Sequence, residues 1–240
     1  MPDSVSSRGN RIMPDTTVLR RRPVPEADAT LTEQAYRAIE EAIVTLDVAP
    51  GEVVSEAQLA GRLGFGRTPV REALQRLARE RLVRILPRRG IVVAAVDVGE
   101  QLRLLEVRRE IERLLARTAA RRADAAQRAG FRAIAAEMEA VAAAGEETGF
   151  LRLDRALNLL VLDAARNEFA SAAMALMHGL SRRFWFLHWR QATGLEASAA
   201  VHAALARAIA GGDAEQAAAA SDALVDFIED FTRRTLAAGG

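Results

Sequence analysis

Arginine carries the chemistry of the most patterned stretch of this sequence. Arg67, Arg71 and Gln75 are spaced by four, which puts them on one stripe of a helix. Guanidinium forks on such a stripe can pair with guanine edges and phosphates. Val70, Ala73, Leu74 and Leu77 form a second, apolar stripe about a quarter turn away. One face can hold the helix on a core while the other meets a polyanion. Downstream, Pro87-Arg88-Arg89-Gly90 reads as a turn between two β-branched runs, Val83 to Leu86 and Ile91 to Ala95. A basic turn of this kind follows a phosphate backbone or enters a minor groove. In isolation it would be an ordinary surface hairpin.

These residues need elements to position them. The periodicity predicts a helix over Leu31 to Leu46, with Leu31, Ala35, Ile39, Ile43 and Leu46 inward and Glu33, Arg37, Glu40 and Glu41 mostly off that face. Pro50-Gly51 marks a turn. Ser55 and Gln58 form a capping box that opens a short helix with Leu59 and Leu63 on its apolar face. Gly64 supplies the left-handed stop, and Phe65 plugs the corner. The arginine-bearing helix then starts at a modest cap, Gly66, or at Thr68, which would make Pro69 its first residue. Together these elements make a winged helix-turn-helix with a two-stranded wing over 30–96. Its expected partner is double-stranded DNA, contacted by Arg67, Thr68, Arg71, Gln75, Arg88, Arg89 and Gly90.

Composition agrees and narrows the alternatives. The chain has 240 residues, enough for two modest domains, and half of them are apolar. Few aromatics and many alanines favour closely packed helices. The absence of cysteine excludes disulfides, thiolate metal sites and cysteine nucleophiles, and fits the cytoplasm. No apolar run reaches the roughly 18 residues that span a bilayer, and the N-terminus lacks the apolar core of a secretory peptide, so no membrane is expected. The net charge of +1 hides an asymmetry. Ala60 to Val96 holds nine arginines and two glutamates, whereas Asp97 onward holds 18 arginines and 20 acids. A basic segment beside a near-neutral one fits a polyanion partner, although a solvated arginine-rich surface would look the same. Residues 1–29 read as a disordered tail, in which Arg20-Arg21-Arg22 could add phosphate contacts and Met13 could be an alternative start.

Only helical periodicity follows Asp97. A long helix to about Arg122 is expected, then helices over 124–144, 148–165, 168–190, 195–211 and 213–236, punctuated by Gly145, Gly149, Gly194 and Gly211-Gly212. Six such helices should pack as an antiparallel bundle over 97–238, so the chain as a whole is expected to be mainly α.

Arg67 through Leu74, with Leu77 and the Pro87-Arg88-Arg89-Gly90 turn, resembles the GntR family of bacterial transcription regulators across 30–96. The sequence departs from that family where Gly66 stands for serine and Arg81 for glycine. Arg81 must then accept a less comfortable backbone or let the helix run on. The second half is similar to the FCD domain of the FadR branch, on Val107-Arg108 with Glu112, Asp154 through Asn167, and His202 through Asp213. That resemblance implies a homodimer enclosing a small-molecule pocket, in many members with a divalent metal held by one aspartate and three histidines. Carried over residue by residue, Asp154 fits the aspartate and His202 one histidine, while Asn158 and Leu224 stand where the others would be. The degenerate site Asp154, Asn158, His202 and Leu224 is thus expected to bind metal poorly or not at all, and no cofactor is expected.

The implied effector-binding residues are Arg108, Asp154, Asn158 and His202, with Arg108 suited to a carboxylate effector. Plainer readings stand beside these. Arg108 could pair with Glu112 on the surface, Asp154 with Arg152 or Arg155, and His202 and Leu224 could be core. The run Arg182 to Trp189 lines the pocket or a packing interface. The resemblance implies a homodimeric, ligand-responsive regulator, more often a repressor, that reads an inverted-repeat operator. A DNA-binding dimer whose second half no longer senses anything is the alternative. An enzyme using Asp154 and His202 as acid and base would lack a nucleophile, a phosphate loop and a complete metal site.

Overall fold

The computed structural model describes residues 29–192 and 194–238. The expected tail, with Arg20-Arg21-Arg22 and Met13, lies outside the described residues apart from Ala29. Helix α1 (Leu31–Val44) starts at Thr30, whose side chain accepts from the Glu33 amide. It ends short of the expected Leu46, which sits at φ 65. Its buried face differs from the one periodicity suggested. Leu31 is 64% exposed, whereas Tyr36 and Glu40 are buried with Ala35, Ile39 and Ile43. A glutamate turned inward defeats any reading in which charge marks the solvent face.

Strand β1 (Val53–Val54) leads into α2 (Glu56–Leu63), which carries the expected Ser55–Gln58 box and stops at Gly64 with φ 74. Helix α3 (Arg67–Arg79) takes Gly66 as its cap and has no side-chain cap bond, so Pro69 sits inside the first turn, where its missing N–H costs nothing. Val70, Ala73, Leu74 and Leu77 are all buried. After α3, Arg81 adopts φ 62, the left-handed conformation that the family's glycine would take without strain. Strands β2 (Val83–Leu86) and β3 (Gly90–Val93) form the wing, and β1 adds a third antiparallel strand in the order β1-β3-β2. Val53 pairs with Val92 and Val54 with Ile91. The sequence reading had two strands because two residues are too short to show an alternation. Strand β3 also ends at Val93, two residues before the expected Ala95. Gly90 is required here: at φ 96, a Cβ would lie 2.9 Å from the Val54 carbonyl oxygen.

The second half is helical throughout. It comprises α4 (Val98–Arg122), α5 (Ala125–Ala143), α6 (Glu147–Ala165), α7 (Glu168–Ala175), α8 (His178–Ala192), α9 (Leu195–Gly211) and α10 (Ala214–Ala238). The expected 168–190 helix is broken in two. Around the break, the Leu176 and Met177 amides bond to Ala173 and Met174, one residue tighter than an α-turn. Ala-Leu-Met-His carries no breaker, so nothing local announces the change. The break frees α8 to lie against the winged half. A Cβ on Gly179 would sit 2.6 Å from Leu82 Cδ1, so a larger residue there would push the Leu82 side chain aside. Arg183, 2% exposed, donates to the carbonyls of Ala94 and Ala95, and burial pushes its guanidinium down to about 10.

One apolar core runs through the winged half from Ala35 to Val93, and another joins α4 through α10. Helices α4 and α10 are further tied by Arg113 to Asp222 and by Arg109 to Asp226 and Glu229. Among the described residues, no helix is long and apolar enough to cross a membrane.

Candidate functional site

Two concave places hold the expected residues. The first is an open groove of about 400 Å³ between the start of α3 and the wing. Arg67 and Arg71 line it from the helix, and Arg88 and Gly90 line it from the wing turn. Thr68, Gln75 and Arg89 are exposed but do not line it. The apolar α3 stripe is anchored on α1, so its arginine stripe must face outward. Arg71 is not free in this state. Its Nε lies 3.1 Å from both Glu56 carboxylate oxygens, and its Nη2 donates to Glu56 at 2.9 Å. Glu56 follows the Ser55 cap and was not singled out by sequence reasoning. Ile85, 48% exposed on β2, gives the groove an apolar wall.

The second place is a cavity of about 40 Å³ inside the helical half. Arg108 from α4, Asp154 and Asn158 from α6, and His202 from α9 all line it. Helix α8 contributes His178, Ser181, Arg182 and Trp185, the first two of which sequence reasoning missed. Arg108 reconciles its two expected roles, because it is buried, borders the cavity and pairs with Glu112 at 2.6 Å. It also donates to the Ser181 hydroxyl, which accepts from Gln101 as well. The Arg182–Trp189 run divides its labour. Arg182 and Trp185 face the cavity, Phe184 packs on Phe231 in the core, and Trp189's side chain lies outside what the structure describes.

Asp154 is buried, not a surface partner of Arg152 or Arg155. Its Oδ2 lies 3.4 Å from Arg182 Nε, and its Oδ1 lies 3.4 Å from His202 Nε2 and accepts from Asn158 at 3.1 Å. Burial alone would raise the Asp154 carboxyl. The hydrogen bond and charge of His202, then Arg182, outweigh it and hold the group at about 2. His202 Nδ1 lies 2.7 Å from the Ser198 carbonyl, which turns Nε2 toward Asp154. His178 is driven the other way: burial, then the Arg108 guanidinium, pushes its imidazole down to about 3.

Leu224 lies in a smaller adjoining cavity of about 20 Å³ with Leu157, Val161, Leu162 and Leu205. Asn158 and His178 border both cavities. The donors that line the larger cavity are therefore one carboxylate, two imidazoles and an amide. A guanidinium stands beside the carboxylate where a cation would go. Among the described residues, no three His, Cys, Asp or Glu side chains come together as a metal set.

Arg182 also leaves the cavity. Its Nη1 donates to Glu40 of α1 at 3.1 Å, and Glu40 pairs with Arg155 of α6 as well. A third cavity, of about 120 Å³, lies between the halves at this point, lined by Tyr36, Glu40, Arg76, Arg155 and Arg182. Tyr36 donates to Glu80 at 2.8 Å, and Arg76 of α3 stacks over the Tyr36 ring at 3.6 Å. Arg155 lies 6.0 Å from the Tyr36 ring centroid, so a row of charged and aromatic side chains extends from Asp154 in the pocket toward the helix that carries Arg71.

Two family descriptions match this chain. The FCD domain matches residues 103–227, and the gntR family of bacterial regulatory proteins matches residues 31–93. An HTH-type transcriptional regulator from the TAR-I ttuE-ttuC' intergenic region of Agrobacterium vitis is 44% identical over 73 residues, covering 30% of this chain and 43% of its own length. The HTH-type transcriptional repressor RspR of Escherichia coli K12 is 36% identical over 90 residues, covering 38% of this chain and 40% of its own. The chain thus matches less than half the length of either relative. Among solved structures, E. coli McbR/YncC superposes with a TM-score of 0.73 at 16% identity, over 87% of this chain and 99% of the other, a likeness of fold.

Proposed function

This chain belongs to the GntR family of bacterial regulatory proteins and carries that family's FCD domain, and on that premise we propose that it is a homodimeric, DNA-binding transcription regulator, acting as a repressor, whose helical half senses a small carboxylate. The observation that carries the proposal is the groove. Two sequence-distant basic elements, the start of α3 and the wing turn, border one open space whose apolar backing is fully buried. Arg67 and Arg71 would read base edges, while Arg88 and Arg89 would hold phosphates and Gly90 would allow close approach at the wing turn. Thr68 and Gln75 would meet the duplex outside the groove itself.

Sensing rests on Arg108 and Arg182, which bring two guanidiniums to a cavity that holds one ionised carboxylate and a neutral His178. A carboxylate effector would take the place of a carboxylate that these guanidiniums now hold, Glu112 at Arg108 and Asp154 or Glu40 at Arg182. It would compete with Asp154 and Glu40 for Arg182, and so shift how the winged halves of the dimer sit. His202 and Asn158 would orient the effector, and the site would work without a metal. The family matches point to a transcription regulator, not to an enzyme using Asp154 and His202. A cytoplasmic location follows from the DNA partner.

Selection of bound fragments from sheared genomic DNA, followed by titration of the recovered site, tests the proposal. The wild-type protein should select an inverted repeat, and Arg71→Ala should weaken binding to it by about ten- to a hundredfold. Selection of no common sequence, or unchanged affinity in Arg71→Ala, would overturn the assignment.

A further inference from the structure

One acid stands in the basic groove. Glu56 lines it beside Arg67, Arg71 and Arg88, and among the described residues no other carboxylate does. A carboxylate there repels the phosphates that the guanidiniums would attract, so it must serve something other than raw affinity. Its place is fixed by the fold. Glu56 occupies the first turn of α2, where the positive end of the helix favours an acid, and the Ser55–Gln58 box pins that turn. The Gly64 stop then turns the chain so that α3 brings Arg71 back to it. What Glu56 takes from Arg71 decides what it leaves. A guanidinium presents a side fork, formed by Nε and Nη2, and an end fork, formed by Nη1 and Nη2. Glu56 holds the side fork, 3.1 Å from Nε and 2.9 Å from Nη2. Among the described residues nothing bonds to Nη1, so the end fork is what Arg71 offers to the groove it lines.

We infer that Glu56 is a positioning residue for base readout: it grips the side fork of Arg71 and aims the end fork at a guanine edge, so that Arg71 reads sequence instead of taking the nearest phosphate. The inference rests on the DNA-binding groove proposed above and adds the residue that makes Arg71 selective. An unheld arginine can swing between phosphates and bases at little cost. One held by a carboxylate gains most where both remaining donors meet paired acceptors, as they do at O6 and N7 of guanine. The pair is weak in the free chain because water reaches it, with 61% of the Arg71 side chain exposed. A duplex seated in the groove would expel that water and strengthen the pair where it is needed. The same carboxylate disfavours a phosphate beside it, which penalises unrelated DNA more than the site that presents guanine.

The test uses the purified full-length protein, the operator recovered by the selection described above, and unrelated duplexes of the same length. Each base pair of the operator is changed in turn, and the position at which Arg71→Ala loses its preference is the one that Arg71 reads. At that position Glu56→Gln and Glu56→Ala should each lose about three- to tenfold of the wild-type preference for guanine. Their affinity for unrelated duplex should rise, and its slope of log K against log salt should steepen by about 0.9, because Arg71 is then free to take a phosphate. Damage to the fold would lower both affinities together, so the rise on unrelated DNA separates the two causes. In an Arg71→Ala background, Glu56→Gln should cost no further base preference. Full guanine preference in both Glu56 variants, or an equal fall in binding to all DNA, would overturn the positioning role while leaving the groove standing. A further loss of preference in the Arg71→Ala background would also overturn it, since Glu56 would then be reading a base itself. If Arg71→Ala changes preference at no position, the reading of the groove fails and this inference fails with it.

Discussion

Arg71 and Arg182 each hold a glutamate, and the two pairs could hardly stand in more different places. Arg71 meets Glu56 at the mouth of an open groove, where 61% of the arginine side chain is exposed. Arg182 meets Glu40 between the two halves of the chain, where both side chains are below 10% exposed. In water an ion pair gains little, because solvent already satisfies both charges and salt screens what remains. Such a pair parks a side chain until a better partner arrives, which is what the DNA contact proposed for Arg71 needs. A buried pair has no solvent to fall back on, so removing one partner strands the other. The same chemistry is thus a resting contact in one region and a structural joint in the other.

Glu40→Ala is the sharpest way to break that comparison. It leaves Arg182 with Asp154 as its remaining carboxylate and takes from Arg155 the carboxylate it pairs with, in a buried place, and should cost about 3 kcal/mol in a urea titration. Glu56→Ala is the counterpart and should leave the unfolding midpoint essentially where it was. Similar losses in the two variants would mean that burial does not separate the pairs.

The same divide between exposed and buried decides how much was legible in the sequence. The α3 stripe of Val70, Ala73, Leu74 and Leu77 fell where periodicity put it, as did the Ser55–Gln58 box and the Gly64 stop. In these cases the signal is local, and the residues that decide the conformation are neighbours. Arg108, Asp154, Asn158 and His202 were brought together as the family resemblance implied, although periodicity could not have done so. Glu40 was misread because its partners lie 115 and 142 residues away, and no pattern within α1 records them. His178 was overlooked because it became a wall of the pocket only through the break after α7, which falls at Leu176 and Met177 rather than at the nearby Gly179. Its sole hint was rarity, as one of three histidines in the chain. Strand β1 escaped because two residues cannot display a period.

His178 carries the comparison into pH. Its imidazole is held at about 3 in the folded chain against an ordinary 6.5. Between these values the unfolded chain binds a proton that the folded chain refuses, so stability must fall as pH drops below about 6.5. One proton corresponds to about 1.4 kcal/mol per pH unit. Asp154 does not confuse this window, because its depressed carboxyl loses its contribution only as pH falls from 3.8 toward about 2. His178→Asn should therefore flatten the slope of stability against pH from 6.5 to 4.5 in chemical denaturation. A slope unchanged by the substitution would mean that the imidazole already titrates freely, as an exposed one would.

Arg81 gives the smallest effect, and tests whether an exposed pair can matter at all beside the backbone beneath it. Its guanidinium lies 3.3 Å from Glu100, with 74% of the side chain exposed, so the pair should be worth a few tenths of a kcal/mol. Its backbone, at φ 62, carries the roughly 1–2 kcal/mol penalty of a left-handed residue with a Cβ. Arg81→Gly removes both and adds the entropy cost of glycine in the unfolded chain, about 0.5–1 kcal/mol. The balance favours the variant by several tenths of a kcal/mol, and by more in high salt, where the wild-type pair is screened. Arg81→Asn separates the causes, because asparagine tolerates the left-handed region yet cannot pair with Glu100. If asparagine stabilises as glycine does, the backbone governs this position. If both variants lose stability, the Glu100 contact outweighs the strain, and the contrast drawn between exposed and buried pairs fails at this residue.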